Sequence, residues 1–188
     1  MMKKLIVISA PSGAGKTSVV HYLLNSMSEL SFSISACSRS KRENEIDGED
    51  YYFLGVEGFK QKIKANAFLE WEEVYKNQFY GTLKSELERV SDQEKVLIFD
   101  VDVVGGLNIK KKYPQECLAI FIMPPSVDAL RERLRDRGSE SEASLQVRID
   151  NAEKEISRNN EFDIVILNDD FNFACQEIKD AIINFINS

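Results

Sequence analysis

LIVISAPSGAGKTSVV, residues 5–20, is a short apolar run that breaks into a glycine-rich turn and reopens on a stripe of helical period. Leu5, Ile6, Val7 and Ile8 are apolar without alternation, which marks a strand buried on both faces, as in a parallel sheet. Gly13 and Gly15 remove Cβ clashes from the turn, so backbone N–H groups there can curl around phosphate oxygens. The pattern G-x-x-x-x-G-K-[ST] is met at Gly15, Lys16 and Thr17, with Ala10 where the leading glycine stands. A plain glycine turn with a solvated lysine would explain the three residues alone. Their place between the first buried strand and a helix favours a phosphate-binding loop. Ser12, Gly13, Ala14, Gly15, Lys16, Thr17 and Ser18 then form a phosphate-binding cradle, with Lys16 reaching the β and γ phosphates and the Thr17 hydroxyl ligating Mg²⁺.

Three more apolar runs follow, VLIFDVD (96–102), LAIFIM (118–123) and DIVIL (163–167). Between them lie helical stripes: Val19, Val20, Leu23, Leu24 and Met27; Leu130 and Leu134; Leu145, Ile149 and Ile156; Ala174, Ile178, Ala181, Ile182 and Phe185. Strands alternating with helices predict an α/β fold, a parallel sheet flanked by helices. Residues 33–83 break the rhythm, with aromatics crowded among charges and glycines, and read as an inserted subdomain of short strands and a helix. The polar stretch RDRGSESEAS (135–144) has no apolar anchor and reads as a mobile lid.

Asp100 closes the second apolar run in the position of an acid that holds Mg²⁺ through water. If the strand continues, Asp102 faces the same side; the plainer role for either is to cap a Gly105-Gly106 turn. His21 reads as an ordinary helix-surface residue.

The chain has 188 residues, 43% of them hydrophobic and 29% charged, which suits one globular domain, or a core with a small insertion, and excludes a disordered tail. With 24 basic and 31 acidic side chains the formal charge is −7, which argues against broad attraction to nucleic acid or anionic lipid. Any anionic ligand must meet a local cluster of Arg and Lys. Cys37, Cys117 and Cys175 are widely spaced and odd in number, and with one histidine they support neither a disulfide framework nor a structural zinc. The apolar stretch 5–8 is too short for a signal-peptide core, and no run is long enough to span a membrane, so a reducing cytoplasm is expected.

The phosphate loop, FSISACSRSKRENEIDGEDYYF (32–53), FLEW (68–71), YGT (80–82), DVDVVG (100–105), PPS (124–126), RLRDRG (133–138) and LNDD (167–170) occur in this order. In that combination the chain resembles the guanylate kinases, enzymes that phosphorylate GMP at the expense of ATP. The resemblance covers nearly the whole chain, about residues 3–186, and rests on several separate motifs. It implies a P-loop core (1–33 and 84–188), a GMP-binding subdomain (34–83) and a lid (137–148). It puts Ser35, Arg39, Arg42, Tyr51, Glu70, Tyr80, Thr82 and Asp102 around GMP, and Asn168 near the adenine of ATP. Lys16, Arg39, Arg133, Arg137 and Arg148 become the catalytic cations, whereas Arg131 and Arg135 read as a helix face paired with Glu132 and Asp136.

The chemistry suits the assignment. Guanine offers N1–H and N2–H₂ donors where adenine has an unprotonated N1, so carboxylates at Glu70 and Asp102 favour guanine, and Thr82 and Ser35 serve the rest of its edge. Arg39 and Arg42, with Tyr51 and Tyr80, supply donors matched to a monophosphate. For these residues singly, a surface turn balanced by Glu43, Glu45 and Asp47 and a small aromatic core would suffice. Ala10 is usual in bacterial members of the family; Val104 stands where glutamine is usual, and Cys37 and Ser38 where two threonines often stand.

The expected function is therefore transfer of the γ-phosphate of ATP to GMP or dGMP with Mg²⁺, by a monomer or weak homo-oligomer binding neither nucleic acid nor membrane. Two other readings compete: a guanylate-kinase-like binding module without catalysis, and a related sugar-phosphate kinase. The intact Lys16 and Thr17 count against the first, and the acceptors Glu70 and Asp102 against the second.

Overall fold

The computed structural model describes residues 4–136 and 142–188. Its central sheet has five parallel strands in the order β2-β7-β1-β8-β9, where β1 is Leu5–Ser9, β2 Leu30–Phe32, β7 Val96–Asp100, β8 Cys117–Met123 and β9 Ile164–Leu167. Side chains alternate across a strand. Hence Ile6 and Ile8 of β1, with Ile120 and Ile122 of β8, enter one core, and Leu5 and Val7, with Ala119 and Phe121, enter the other. The first core is closed by α1 (Lys16–Ser26), α5 (Val127–Asp136), α6 (Glu142–Ile156) and α7 (Phe171–Asn187), through the predicted stripes. Val19, Val20, Leu23, Leu130, Leu145, Ile149, Ile178 and Ile182 are all buried there, and His21 lies exposed on α1.

A second sheet, in the order β4-β3-β6-β5, is built from β3 (Ser35–Cys37), β4 (Tyr52–Phe53), β5 (Phe68–Tyr75) and β6 (Gln78–Leu83), with α2 (Gly55–Lys64) packed on it. It has its own small core of Ala36, Phe59, Phe68, Phe79 and Leu83, in which the rings of Phe59 and Phe68 stack at 4.3 Å. The short helix α3 (Ser85–Ser91) returns the chain to the central sheet.

Three features differ from the sequence reading. Strand β2 has no counterpart among the apolar runs, because only Leu30 of its three residues is buried and so short a run carries no periodicity. Strand β7 ends at Asp100, and Asp102 is instead the N-cap of α4 (Val103–Lys112), accepting from Gly105 N at 2.7 Å. Gly105 and Gly106 lie inside that helix rather than in a turn. A Cβ on Gly106 would stand 2.6 Å from Ser9 Oγ and 2.9 Å from Val7 Cγ1, so glycine is what lets α4 settle directly on β1. Finally, α5 and α6 extend into the stretch 135–144 from either end, and Arg135 pairs with Glu142 at 3.2 Å, while Arg131 reaches Gln146. Residues 137–141, including Arg137 and the first part of the expected lid, lie outside the described residues.

Candidate active site

The carboxyl ends of β1 and β7 and the start of α1 meet at the glycine loop. Gly13 and Gly15 take φ of 90° and 97°, a region costly for any residue with a Cβ. Helix α1 starts at Lys16 with no side-chain cap and no acidic residue in its first turn, which leaves its leading N–H groups for an anion. The Lys16 ammonium lies 2.6 Å from Asp100 Oδ1 and 2.9 Å from the Val101 carbonyl, and Thr17 Oγ1 donates to Asp100 Oδ2 at 3.3 Å. Lysine, threonine and aspartate thus form one contiguous set, as their spacing predicts.

One arginine reaches the same loop and a second reaches the residue that braces it. Arg148 of α6 donates to Ser12 Oγ at 2.6 Å, and Arg133 of α5 to the Asn168 carbonyl at 3.2 Å. Asn168 is buried, and its side-chain amide donates to Ala14 O at 2.8 Å, so it braces the phosphate loop. Glu155 also lies beneath the loop, toward the Ser12 backbone, and burial pushes its carboxyl above the usual range.

Across the cleft, the second sheet sets the other expected residues in register. Ser35 of β3 pairs with Thr82 of β6, and Thr82 with Glu70 of β5, so the three sit side by side. Thr82 Oγ1 donates to Glu70 Oε1 at 2.8 Å. One strand step away, Tyr80 packs edge-on against Tyr51, ring centroids 6.2 Å apart, and the Arg39 guanidinium lies 5.0 Å over the Tyr51 ring. Arg39 is held by Glu45 through two bonds of 2.6 Å, and this pairing keeps the Glu45 carboxyl down at about 2. The side chain of Arg42 is exposed while its backbone N–H also binds Glu45. In the sequence Glu45 stands only as one of several balancing charges. Its i+6 relation to Arg39 has no helical or strand periodicity that would single it out.

A cavity of about 450 Å³ joins the two halves, lined among others by Lys16, Thr17, Ser35, Tyr51, Glu70 and Asp102. Burial, eased by the Thr82 bond and reinforced by the Asp102 charge, pushes the Glu70 carboxyl up to about 7. Asp102 therefore serves both as a helix cap and as a wall of this cavity, and a Cβ on Gly105 would stand 3.1 Å from Glu70 Oε2. A second cavity of about 610 Å³ adjoins it, between the loop and α6, and Ser12, Asp102, Arg148 and Arg158 line it. Glu72, two residues beyond Glu70 on the same face of β5, borders both cavities, and no sequence motif points to it.

This geometry agrees with relationships to known proteins. The family model described as guanylate kinase matches residues 2–184. The chain belongs to the guanylate kinase family. It is 52% identical to the guanylate kinase of Porphyromonas gingivalis over 98% of this chain and 99% of that protein. The guanylate kinase of Salinibacter ruber is 45% identical, over 99% and 98% of the two chains. The crystal structure of guanylate kinase from Anaplasma phagocytophilum superposes with a TM-score of 0.77 at 27% identity, covering 97% of this chain and 86% of that one. As a guanylate kinase the protein is an ATP:GMP phosphotransferase, and neither the binding-module nor the sugar-phosphate reading is favoured.

Proposed function

We propose that this guanylate kinase holds ATP on the loop formed by Ser12, Gly13, Ala14, Gly15, Lys16, Thr17 and Ser18, and GMP on the second sheet, with residues 34–83 as the GMP-binding subdomain. The observation that carries this reading is one cavity lined both by Glu70, which Thr82 holds from behind, and by Lys16, Thr17 and Asp100. Guanine donates through N1 and N2 to Glu70, and Ser35, Thr82 and Asp102 complete its edge. The monophosphate meets Arg39, Arg42, Tyr51 and Tyr80.

An oxygen of the GMP phosphate attacks the γ-phosphorus of ATP as the β–γ bridging bond breaks, and ADP leaves. The attacking oxygen is already anionic, so no general base is needed. Charge on the moving group is met by Lys16, Arg39, Arg133 and Arg148, with Arg137 following the family pattern from outside the described residues. Thr17 and Asp100 supply the oxygen donors that Mg²⁺ takes alongside waters and substrate phosphates, and the bound ion neutralises phosphate charge. Among the described residues no helix is long and apolar enough to cross a membrane. The three cysteines are buried and unpaired, which supports a reducing cytoplasm.

ADP release in a coupled assay, with Mg-ATP and GMP, dGMP, AMP, UMP or a sugar phosphate in turn, tests this reading. Turnover with GMP and dGMP and almost none with the others is expected. Equal turnover with AMP would remove the carboxylates from the base site.

The elevated Glu70 carboxyl adds a pH dependence. Guanine needs the ionised form, yet the free enzyme holds a proton there up to about pH 7. Below that value binding must expel the proton, so GMP affinity is expected to fall toward tenfold per pH unit, while above it the affinity is flat. The phosphate of GMP titrates near pH 6 as well, as phosphate monoesters do. Calorimetric titrations of wild type and Glu70→Gln therefore belong together: the phosphate's share of the proton release near pH 6.5 remains in the variant, and release that is undiminished there would exclude Glu70 as a source.

A further inference from the structure

Glu86 is 1% exposed, yet no sequence motif gives it a role. Its carboxylate takes four hydrogen bonds. Oε2 accepts from Ile34 N and from Arg89 Nη2, both at 2.7 Å, and Oε1 accepts from Tyr52 Oη and from Arg89 Nε, both at 2.9 Å. Arg89 donates in turn to the Phe32 carbonyl at 2.6 Å. A carboxylate is buried only at considerable cost unless donors surround it, and here they do.

The partners map onto the junction between the two sheets. Phe32 ends β2 of the central sheet, Ile34 lies where the chain enters the second sheet, and Tyr52 belongs to β4. Glu86 itself sits in the first turn of α3, just after β6 carries the chain back out. Both crossings and the outer strand are thus tied to one side chain. Two of the tied residues adjoin cavity residues: Ile34 precedes Ser35, and Tyr52 follows Tyr51. Neighbouring side chains on an extended chain point to opposite faces, so Tyr52 is gripped from behind while Tyr51 faces the cavity.

We propose that Glu86 is a positioning residue for the GMP site: by holding Ile34, Tyr52 and Arg89 together it fixes Ser35 and Tyr51 at the angle that GMP requires. This inference rests on the assignment of GMP to the second sheet. Apolar packing at the same place would let the sheets slide, whereas four directional bonds to one carboxylate define the angle between them.

Initial-rate kinetics and thermal midpoints of Tyr52→Phe, Glu86→Gln and the control Glu70→Gln test it. Tyr52→Phe removes one hydrogen bond and keeps the ring, and the KM for GMP should rise about threefold to tenfold while that for ATP stays within about twofold. Glu86→Gln should raise the KM for GMP by about tenfold or more, because a charge-assisted set is broken. If Glu86→Gln fails to fold, Tyr52→Phe decides alone. A KM for GMP unchanged in Tyr52→Phe and Glu86→Gln but raised in Glu70→Gln would overturn the positioning role and leave the GMP site standing. A rise of both KM values in step with a falling thermal midpoint would overturn it equally, since that is mere loss of structure. An unchanged KM in Glu70→Gln would overturn the site beneath it.

Discussion

Lys16→Ala is expected to lower kcat about a thousandfold at saturating ATP and GMP, with the folded state retained. Phosphoryl transfer asks the protein mainly for positioning and for fixed positive charge, and the loss of one such group costs about two to three orders of magnitude. Lys16 starts the helix that follows the glycine loop, and its ammonium lies between Asp100 Oδ1 and the Val101 carbonyl, a short swing from the first-turn N–H groups. Alanine keeps the helix start and leaves Asp100 with the Thr17 hydroxyl as partner. The effect should therefore fall on turnover far more than on folding. ADP release at saturation, with a thermal midpoint alongside, measures both. Turnover at the wild-type rate would refute the assignment of this loop to ATP.

The second large effect is discrimination between bases. GMP should exceed AMP by about 10⁴ in kcat/KM, because a site of buried hydrogen-bonding groups leaves them unpaired when the wrong edge is presented. Glu70 is the centre of that site, backed by Thr82 at 2.8 Å and walled by Asp102. Glu70→Gln preserves size but replaces an oxygen acceptor with an NH₂ donor that meets the guanine donors head-on. The KM for GMP should rise about a hundredfold, the KM for ATP should hold, and the preference over AMP should shrink accordingly. An unaltered KM for GMP would take Glu70 out of base recognition.

Much of this is legible in the chain. The runs at 5–9 and 118–123 declare buried parallel strands because both of their faces are covered, the run at 163–167 is apolar although Val165 and Leu167 of this edge strand are exposed, and the phosphate loop announces itself by its motif set between a buried strand and a helix. Helix α4 is not legible, since two consecutive glycines argue for a turn, and only the close approach to Ser9 and Val7 explains why they are helical. Strand β2 is too short to show a period. Family motifs name the base and phosphate residues but not their partners. Glu45, Glu86 and Asn168 act through tertiary contacts, and no local pattern distinguishes such residues from surface acids or turn formers.

The Arg39–Glu45 clasp has a consequence for an enzyme that works amid other anions. The guanidinium proposed to read the GMP phosphate is already paired with an internal carboxylate, so the mouth of the proposed GMP site is an ion pair rather than a standing positive charge. Glu45 takes two of the five guanidinium donors, so a newcomer must either use the others beside that carboxylate or displace it. Free phosphate brings only its charge to that trade, whereas a nucleotide adds the binding of its base. Competition by inorganic phosphate is therefore expected to be weak, as is attraction of polyanions to this acidic protein.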